Sequence, residues 1–213
     1  MTRCIVNVAT GPRYANGQER LATNPHVIET PVMLFRDQMP PGSPSHTEVP
    51  YAFKPWAMKA AAEVGAEVLL WADASIVPIR SLDPLWEKIE REGAWISRNG
   101  YRNSEWTAES AYADLDVTHE ENDAIEHVVA TTFGLNLNHA TGRYIFDEYL
   151  RLAQTRAFCG PWRGGIGVQH RHDQTALSVI AWRAGVELTS PPEWFAYRGG
   201  EVESTVLVAD GAF

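Results

Sequence analysis

The stretch Glu67-Val-Leu-Leu-Trp71-Ala-Asp73-Ala-Ser75 decides the fold prediction, because a nearly continuous apolar run leads directly into two polar side chains. Such a run is typical of a strand buried on both faces of a parallel sheet. Asp73 and Ser75 follow the strand end, where ligands bind in open α/β sheets. Being two residues apart, they project to the same side and can hold a ribose hydroxyl or a hydrated divalent cation. The alternative is that Asp73 only caps the next turn.

Strand and helix patterns alternate on both sides of this segment. Apolar runs predict strands at residues 4–9, 32–35, 67–71, 94–97, 131–137 and 186–189. Helical spacing, with Pro or Asp at several starts and Gly after several ends, predicts helices at residues 14–22, 55–64, 83–92, 141–154 and 173–184. Loops are predicted at the Pro/Gly-rich residues 39–50, the polar residues 99–126 and the Gly-rich residues 158–168. The alternation predicts an α/β/α sandwich with a mostly parallel central sheet.

Length and composition limit the class of protein. The 213 residues are 45% hydrophobic and 21% charged, as in ordinary globular chains, and their number predicts one domain over residues 1–213. The net charge of −9 argues against a large nucleic-acid-binding surface, which needs clustered Lys and Arg. Because no signal-peptide pattern and no apolar run of bilayer length are present, we expect a cytoplasmic protein without a membrane partner.

The densest positive cluster is His170-Arg171-His172, directly before the last predicted helix. Partial positive charge collects at a helix N-terminus, so this cluster favours a diphosphate ligand. A neutral imidazole there could instead ligate a metal, and a solvated loop is the plain alternative. Asp173 also has two interpretations. It can contact a ligand, or it can cap the helix, because Asp is among the best N-cap residues.

Four aromatic residues, Trp106, Trp162, Trp194 and Tyr197, lie in segments predicted as loops. Sugars stack their apolar faces on such rings. Packing into the core is the alternative, and it is the commoner fate of large aromatic side chains.

Several segments together resemble the GT-A fold glycosyltransferases that use nucleotide-diphospho-sugars, especially the glycogenin and galactosyltransferase-like group. Residues 68–85 are similar to their Asp-x-Asp region, in which the motif ends a strand and an Asp-Pro helix start follows. Thr131-Thr-Phe-Gly-Leu-Asn-Leu-Asn138 resembles their strand with a Phe-Asn-x-Gly segment, and His172-Asp-Gln-Thr-Ala-Leu177 resembles their Asp-Gln motif. Residues 6–21 resemble the first strand and loop, which bind the base.

The resemblance implies a GT-A-like sandwich and a hexosyltransferase-like activity with a nucleotide-sugar donor, a UDP-sugar being favoured. It also implies retention of the anomeric configuration and a divalent cation, Mn²⁺ or Mg²⁺. The chain departs from the pattern at Ser75, which stands where the second metal-binding Asp would be and is a poorer ligand for a hard cation. The need for a metal is therefore an open question at this stage.

The resemblance also assigns roles to individual residues. The implied donor-binding residues are Ala9, Thr10, Gly11, Tyr14, Asp73, Ser75, His170, Arg171 and His172. The predicted metal ligands are Asp73, Ser75 and His172, the last because a neutral imidazole can replace the missing carboxylate. The catalytic residues that the resemblance implies around the sugar are Asn136, Asp173 and Gln174.

Two other functions fit parts of the sequence. A nucleotidyltransferase of the same fold usually has a Gly-rich loop with Arg or Lys after the first strand, and residues 9–13 are a poor version of one. A non-catalytic nucleotide- or sugar-binding module fits the small size and Ser75. The acceptor stays open among a glycan, a protein side chain, a small molecule and a modified DNA base, and the oligomeric state is not indicated.

Overall fold

The computed structural model describes residues 1–166 and 168–211. The strands in these residues are β1 (Arg3–Ala9), β2 (Val32–Arg36), β3 (Val68–Ala72), β4 (Ile76–Pro78), β5 (Ala94–Trp95), β6 (Arg98–Arg102), β7 (Glu126–Val128), β8 (Thr132–Asn136), β9 (Phe195–Tyr197) and β10 (Leu207–Ala209). The α-helices are α1 (Pro12–Ala22), α2 (Phe53–Glu63), α3 (Asp83–Glu92), α4 (Tyr112–Leu115), α5 (His119–Ala124), α6 (Ala140–Leu152) and α7 (Asp173–Arg183). Two 3-10 helices cover Asn103–Trp106 and Glu109–Ala111. Within the described ranges, no helix is both long enough and apolar enough to cross a membrane.

The central sheet has five strands in the order β2-β1-β3-β8-β5. Strand β1 pairs in parallel with β2 and β3, whereas β8 runs antiparallel to both of its neighbours, β3 and β5. All strands of this sheet except β8 therefore point the same way, which confirms the predicted mostly parallel sheet. The carboxyl ends of β1 and β3 lie at one edge, and the beginning of β8 reaches that same edge.

Helices cover both faces of this sheet. Leu69 and Trp71 of β3 are buried in a core that includes side chains of α2, α6 and α7. Val68 and Leu70 point to the opposite face and are buried with side chains of α1 and α3. This alternation follows from the two-residue period of a strand. It confirms the α/β/α sandwich.

The predicted helices are present with ends shifted by no more than two residues. Helix α3 ends at Gly93, whose φ of 84° is the left-handed conformation that favours glycine. Helix α2 begins at Phe53, before Pro55. A proline within the first turn is tolerated because the amides there have no partner within the helix. The earlier start places Lys54 inside the helix, where it is buried.

The strand predicted at residues 186–189 is wrong. In the described part of the chain only Thr189 pairs, through an isolated bridge to Ser97. Pro191 and Pro192 follow, and they cannot continue a ladder because proline lacks an amide hydrogen. The chain instead forms the short strands β9 and β10, which build a second sheet in the order β4-β10-β9. Strands of three residues are too short to show a periodic pattern.

The segment predicted as irregular, residues 99–126, is a folded unit between the antiparallel strands β6 and β7. Asn103 Nδ2 donates to Asn122 Oδ1 at 2.7 Å, and Asn122 Nδ2 donates to Thr107 Oγ1 at 3.0 Å. His127 Nδ1 donates to Asn103 Oδ1 at 2.7 Å. We call these four buried side chains the polar anchor. Since Asn103 also donates to a backbone carbonyl of α7 at 3.3 Å, the anchor attaches the segment to that helix.

Candidate functional site

A cavity of about 320 Å³ opens at the edge of the sheet where β1 and β3 end. Its walls combine residues that follow these strands with aromatic and other apolar side chains: Val8, Thr10, Tyr14, Met39, His46, Tyr51, Phe53, Asp73, Ala74 and Ser75. Its volume lies within the range of small-molecule sites, about 300–1,000 Å³. The predicted donor-binding residues Thr10, Tyr14, Asp73 and Ser75 all belong to this lining.

The turn that carries Asp73 is fixed by its neighbours. The amide of Asp73 donates to the carbonyl of Thr131 at 2.8 Å, and its carbonyl accepts from the amide of Ile76 at 2.9 Å. On the α1 side, a Cβ atom added to Gly17 would lie 2.1 Å from the carbonyl oxygen of Ala74. Only glycine therefore allows α1 to pack this closely against the turn.

Lys54 joins two of the predicted site residues. Its Nζ lies 3.3 Å from Asp73 Oδ1 and 3.0 Å from Asp173 Oδ2, and it donates to the carbonyl of Ala130 at 2.8 Å. The ammonium therefore lies between two carboxylates at ion-pair distance and is hydrogen-bonded to a backbone carbonyl. The Lys54 side chain is 3% exposed, whereas that of Asp73 is 27% exposed. We call Lys54, Asp73 and Asp173 the ionic cluster.

The charges of the ionic cluster depend on one another. Burial lowers the pKa of Lys54, but the negative charges of Asp173 and Asp73 outweigh it and raise that pKa above its ordinary value. Desolvation by the surrounding protein raises the pKa of Asp73, although the charge of Lys54 acts in the opposite direction. Tyr149 Oη donates to Asp173 Oδ2 at 3.0 Å, and burial, then the Asp173 charge, raises the tyrosine pKa well above its usual range. Tyr149 is therefore a neutral donor to this carboxylate.

Asp173 is the first residue of α7 and not its N-cap. The cap position is His172, which has a φ of 51° and makes no side-chain capping bond. The Asp173 carboxylate points instead to Lys54 and Tyr149. The interpretation of Asp173 as a helix cap is therefore wrong, because its oxygens face the protein interior.

The two histidines of the predicted positive cluster are buried, and burial lowers the pKa of both. His170 Nδ1 accepts from a backbone amide at 3.3 Å and its Nε2 donates to a backbone carbonyl at 2.8 Å. Burial lowers the pKa of His170 to about 4. His172 Nδ1 donates to a backbone carbonyl at 2.8 Å, and burial lowers the His172 pKa as well. The prediction that they add positive charge for a diphosphate is wrong, because desolvation disfavours the imidazolium.

Arg171 is the one charged member of that triplet, and its guanidinium is held between two indole rings. Its central carbon lies 4.4 Å from the ring centroid of Trp106 and 5.5 Å from that of Trp162. Across residues 1–166 and 168–211, the guanidinium has no ion pair and no hydrogen bond. Trp162 stacks on His172 at 5.3 Å, and His172 lies 5.6 Å from Tyr51 of the cavity wall. Along this chain of contacts the rings of Trp162 and His172 lie between Arg171 and Tyr51 of the cavity wall.

Asn136 lies at the opposite edge of the sheet from the cavity. Because β8 is antiparallel to β3, Asn136 pairs with Val68 at the beginning of β3, whereas Thr132 pairs with Ala72 at its end. The Asn136 amide donates to a backbone carbonyl of α3 at 3.0 Å. Asn136 is therefore not part of this cavity, and Thr132 instead occupies the edge at which β3 ends.

Three further predicted residues have partners of their own. Ala9 is buried at the end of β1. The amide of Gly11 donates to Asp37 Oδ1 at 2.8 Å, and Gln174 Nε2 donates to the carbonyl of Val128 at 2.6 Å. These residues are close in sequence to the site but do not line the cavity. Gly167, part of the predicted Gly-rich loop, lies outside the described residues.

Sequence reasoning missed Lys54 and Tyr51. The Nζ of Lys54 lies 5.3 Å from the Tyr51 ring centroid, and burial raises the Tyr51 pKa to about 12. One signal was available, because Lys54 stands between Phe53 and Pro55-Trp56 at the start of an apolar helix. A lysine within such a run is buried only when it is paired.

The predicted metal ligands Asp73, Ser75 and His172 do not fit a divalent cation. Asp73 Oδ1 already faces Lys54 and accepts from Trp71 Nε1 at 2.7 Å. His172 does not line the cavity together with Asp73 and Ser75. No group of three or more His, Cys, Asp or Glu side chains in the described chain could hold a metal ion. Mn²⁺ and Mg²⁺ need several oxygen ligands, and one carboxylate beside an ammonium does not supply them.

Asp173→Asn is expected to lower the free energy of unfolding by about 1–3 kcal/mol, because one charged partner of Lys54 is lost while Asp73 remains. Urea denaturation measures this change. The control is Asp147→Asn, whose carboxylate is 60% exposed on α6 and whose effect should stay within about 0.5 kcal/mol. Equal stability of the two variants would contradict the buried role of Asp173.

Three solved structures share this fold over almost the whole chain. A glycosyltransferase involved in glycosylation of the major capsid of PBCV-1 superposes with a TM-score of 0.57 at 12% identity, covering 98% of this chain and 92% of its own. The bifunctional glycosyltransferase WbbM gives 0.57 at 11% identity over 97% of this chain and 45% of its own. The galactosyltransferase LgtC, solved with donor and acceptor sugar analogs, gives 0.53 at 10% identity over 97% and 86%.

Neither the protein-family models nor the curated protein sequences yield a match to this chain. The likeness to the three solved structures is therefore one of fold, at identities too low to carry a function. It agrees with the strand order and with the helices on both faces. The chain has the GT-A-like fold of glycosyltransferases.

Proposed function

We propose that this chain transfers a sugar from a nucleotide-diphosphate donor to an acceptor. The observation that carries the proposal is the ionic cluster, in which one buried lysine holds Asp73 at the cavity and Asp173 beside it. Buried ion pairs add little to stability over a well-packed apolar core, so their presence at a cavity points to a functional demand. The LgtC complex with donor and acceptor analogs supports this use of the fold.

In this proposal the nucleotide occupies the cavity at the ends of β1 and β3. Tyr14 offers a ring that is 46% exposed, on which a base can stack. The Asp73 carboxylate accepts hydrogen bonds from the ribose hydroxyls, and the Ser75 hydroxyl donates to a phosphate oxygen. A UDP-sugar is our proposed donor, with retention of configuration, as the resemblance to the glycogenin-like group implies.

Lys54 acts in this site as a positioning residue. Its side chain is 3% exposed and its Nζ faces two carboxylates and one backbone carbonyl, so it acts on the donor through these carboxylates. Its charge opposes the effect of desolvation on the pKa of Asp73, and its contacts hold both carboxylates in a fixed orientation. Carboxylates held in this way can accept hydroxyl hydrogens of the sugar or the ribose without rearranging during the reaction.

The leaving group needs a positive partner. When the bond between the anomeric carbon and the diphosphate oxygen breaks, the nucleotide diphosphate takes both electrons and gains negative charge. Arg171 is our proposed partner, because its guanidinium has no anionic partner in the described structure and stands beside the N-terminus of α7. Its two indole neighbours hold the planar fork in one orientation.

The donor site is tested by thermal denaturation with a panel of nucleotide sugars. A bound ligand at about one hundred times its Kd stabilises a protein by about 2.7 kcal/mol, which raises Tm by several degrees for a chain of this length. We expect the shift with UDP-sugars, and we expect Tyr14→Ala to remove most of it by removing the stacking ring.

Tyr144→Ala is the matched control, because Tyr144 is 39% exposed on α6 and does not line the cavity. An equal loss of the shift in both variants would contradict the proposed donor site. Release of free nucleotide diphosphate from the bound donor then separates an enzyme from a binding module, which would bind without turnover.

A further inference from the structure

We infer that Lys54 occupies the place of a divalent cation in this site, so that donor binding and transfer require no metal. The inference rests on the proposed function, and it concerns what neutralises the two carboxylates near the donor. Its basis is the position of one ammonium group between Asp73 and Asp173.

The oxygens that face the centre of the ionic cluster are already filled with donors. Asp73 Oδ1 has the Lys54 ammonium at 3.3 Å and the Trp71 indole N–H at 2.7 Å. Asp173 Oδ2 has the same ammonium at 3.0 Å and the Tyr149 hydroxyl at 3.0 Å. A metal ion bridging the two carboxylates would have to displace all of these donors.

The lysine is held in this position by its surroundings. The side chain is 3% exposed, and its Nζ donates to the carbonyl of Ala130 at 2.8 Å. Its Nζ lies 5.3 Å from the ring centroid of Tyr51 and 5.4 Å from that of Trp71, two faces that attract a cation. Within the described residues, the Lys54 ammonium is therefore shielded from water, and no other acceptor draws it away from the two carboxylates.

A second cation next to Lys54 is disfavoured by charge. Two positive ions sharing the Asp73 carboxylate repel each other, and the repulsion is strong where water is excluded. The remaining candidate ligand is the Ser75 hydroxyl, a neutral oxygen. Lys54 thus supplies, from the chain itself, the positive charge that neutralises these carboxylates.

The first experiment uses the wild-type protein and a UDP-sugar identified by thermal denaturation. We expect its affinity, measured by calorimetry, and the release of nucleotide diphosphate to be the same in EDTA as in Mn²⁺. Binding or turnover that appears only with Mn²⁺ would overturn the inference and leave the proposed function standing. Absence of binding under both conditions would instead overturn the proposed function.

A second measurement on the wild type needs no turnover. The Trp71 indole N–H is bonded to Asp73, so a paramagnetic Mn²⁺ ion on that carboxylate would broaden its NMR signal. We expect the signal to stay sharp when Mn²⁺ is added, alone and with the nucleotide sugar. Selective broadening of this signal would show a metal at Asp73 and contradict the inference.

The converse experiment removes the lysine. In Lys54→Ala two carboxylates remain around an empty position, so Mn²⁺ should raise the Tm of the variant but not that of the wild type. If the variant folds only when Mn²⁺ is present during refolding, the inference is supported equally. A variant that gains nothing from Mn²⁺, in Tm or in refolding yield, would contradict the view that Lys54 stands in a cation position.

Discussion

Replacing Lys54 by methionine is expected to lower the free energy of unfolding by about 3–5 kcal/mol, the usual effect of removing one partner from a buried ionic group. Methionine matches the length of the side chain, so lost packing contributes little. The effect comes from Asp73 and Asp173, which keep their burial but lose the ammonium that neutralises them. Urea denaturation at neutral pH measures it.

The control is the triple variant Lys54→Met, Asp73→Asn, Asp173→Asn, which removes all three charges. It should be more stable than the single variant, because neutral amides are less costly to bury than unpaired carboxylates. The single variant should also regain stability as the pH falls. Desolvation already raises the folded-state pKa of Asp73, and loss of the opposing Lys54 charge raises it further, so the folded variant binds more protons than the unfolded chain as the pH falls. A single variant as stable as the wild type would contradict the ionic cluster.

Asp73→Asn is expected to lower turnover of the nucleotide sugar by about 10²-fold or more. The reason is that the variant lacks the fixed carboxylate at the end of β3 that accepts a hydrogen bond from a hydroxyl of the nucleotide sugar. The loss should appear mainly in kcat if the contact tightens in the transition state. Release of nucleotide diphosphate from the donor measures it, and circular dichroism checks that the fold is retained.

The comparison for this variant is Asp83→Asn, which makes the same chemical change in a side chain that is 74% exposed at the start of α3. Its turnover should match that of the wild type. Near-normal turnover by Asp73→Asn would remove Asp73 from the catalytic machinery and return it to the role of a turn residue.

Most of the fold could be predicted because its signals are local. The buried run that ends at Trp71 and Ala72 and the glycine stop at Gly93 are visible in short windows of sequence, and the structure confirms them. Strand direction is not visible in this way, since an apolar run reads the same in both orientations. The apolar pattern therefore predicts a strand at residues 131–137 but does not indicate that Asn136 lies at the edge of the sheet away from the cavity.

The candidate site was less predictable because its partners are far apart in sequence. Lys54, Asp73 and Asp173 meet only after α2, β3 and α7 pack together, and no window of sequence contains more than one of them. Burial was the second missing quantity. His170 looks like part of a basic triplet in sequence, but complete burial turns it into a neutral bridge between two backbone groups.

The polar anchor has a consequence for how this fold can vary. Each of its four side chains has another member as partner, so a single substitution leaves a buried donor or acceptor unmatched, whereas a coordinated replacement does not. The four residues of the polar anchor should therefore be kept together or replaced together during evolution. Exposed side chains of the same segment, such as Glu120, do not belong to this network. The buried part of residues 99–126 is thus constrained by the polar anchor. The outer surface of the segment can change during evolution without disrupting the fold.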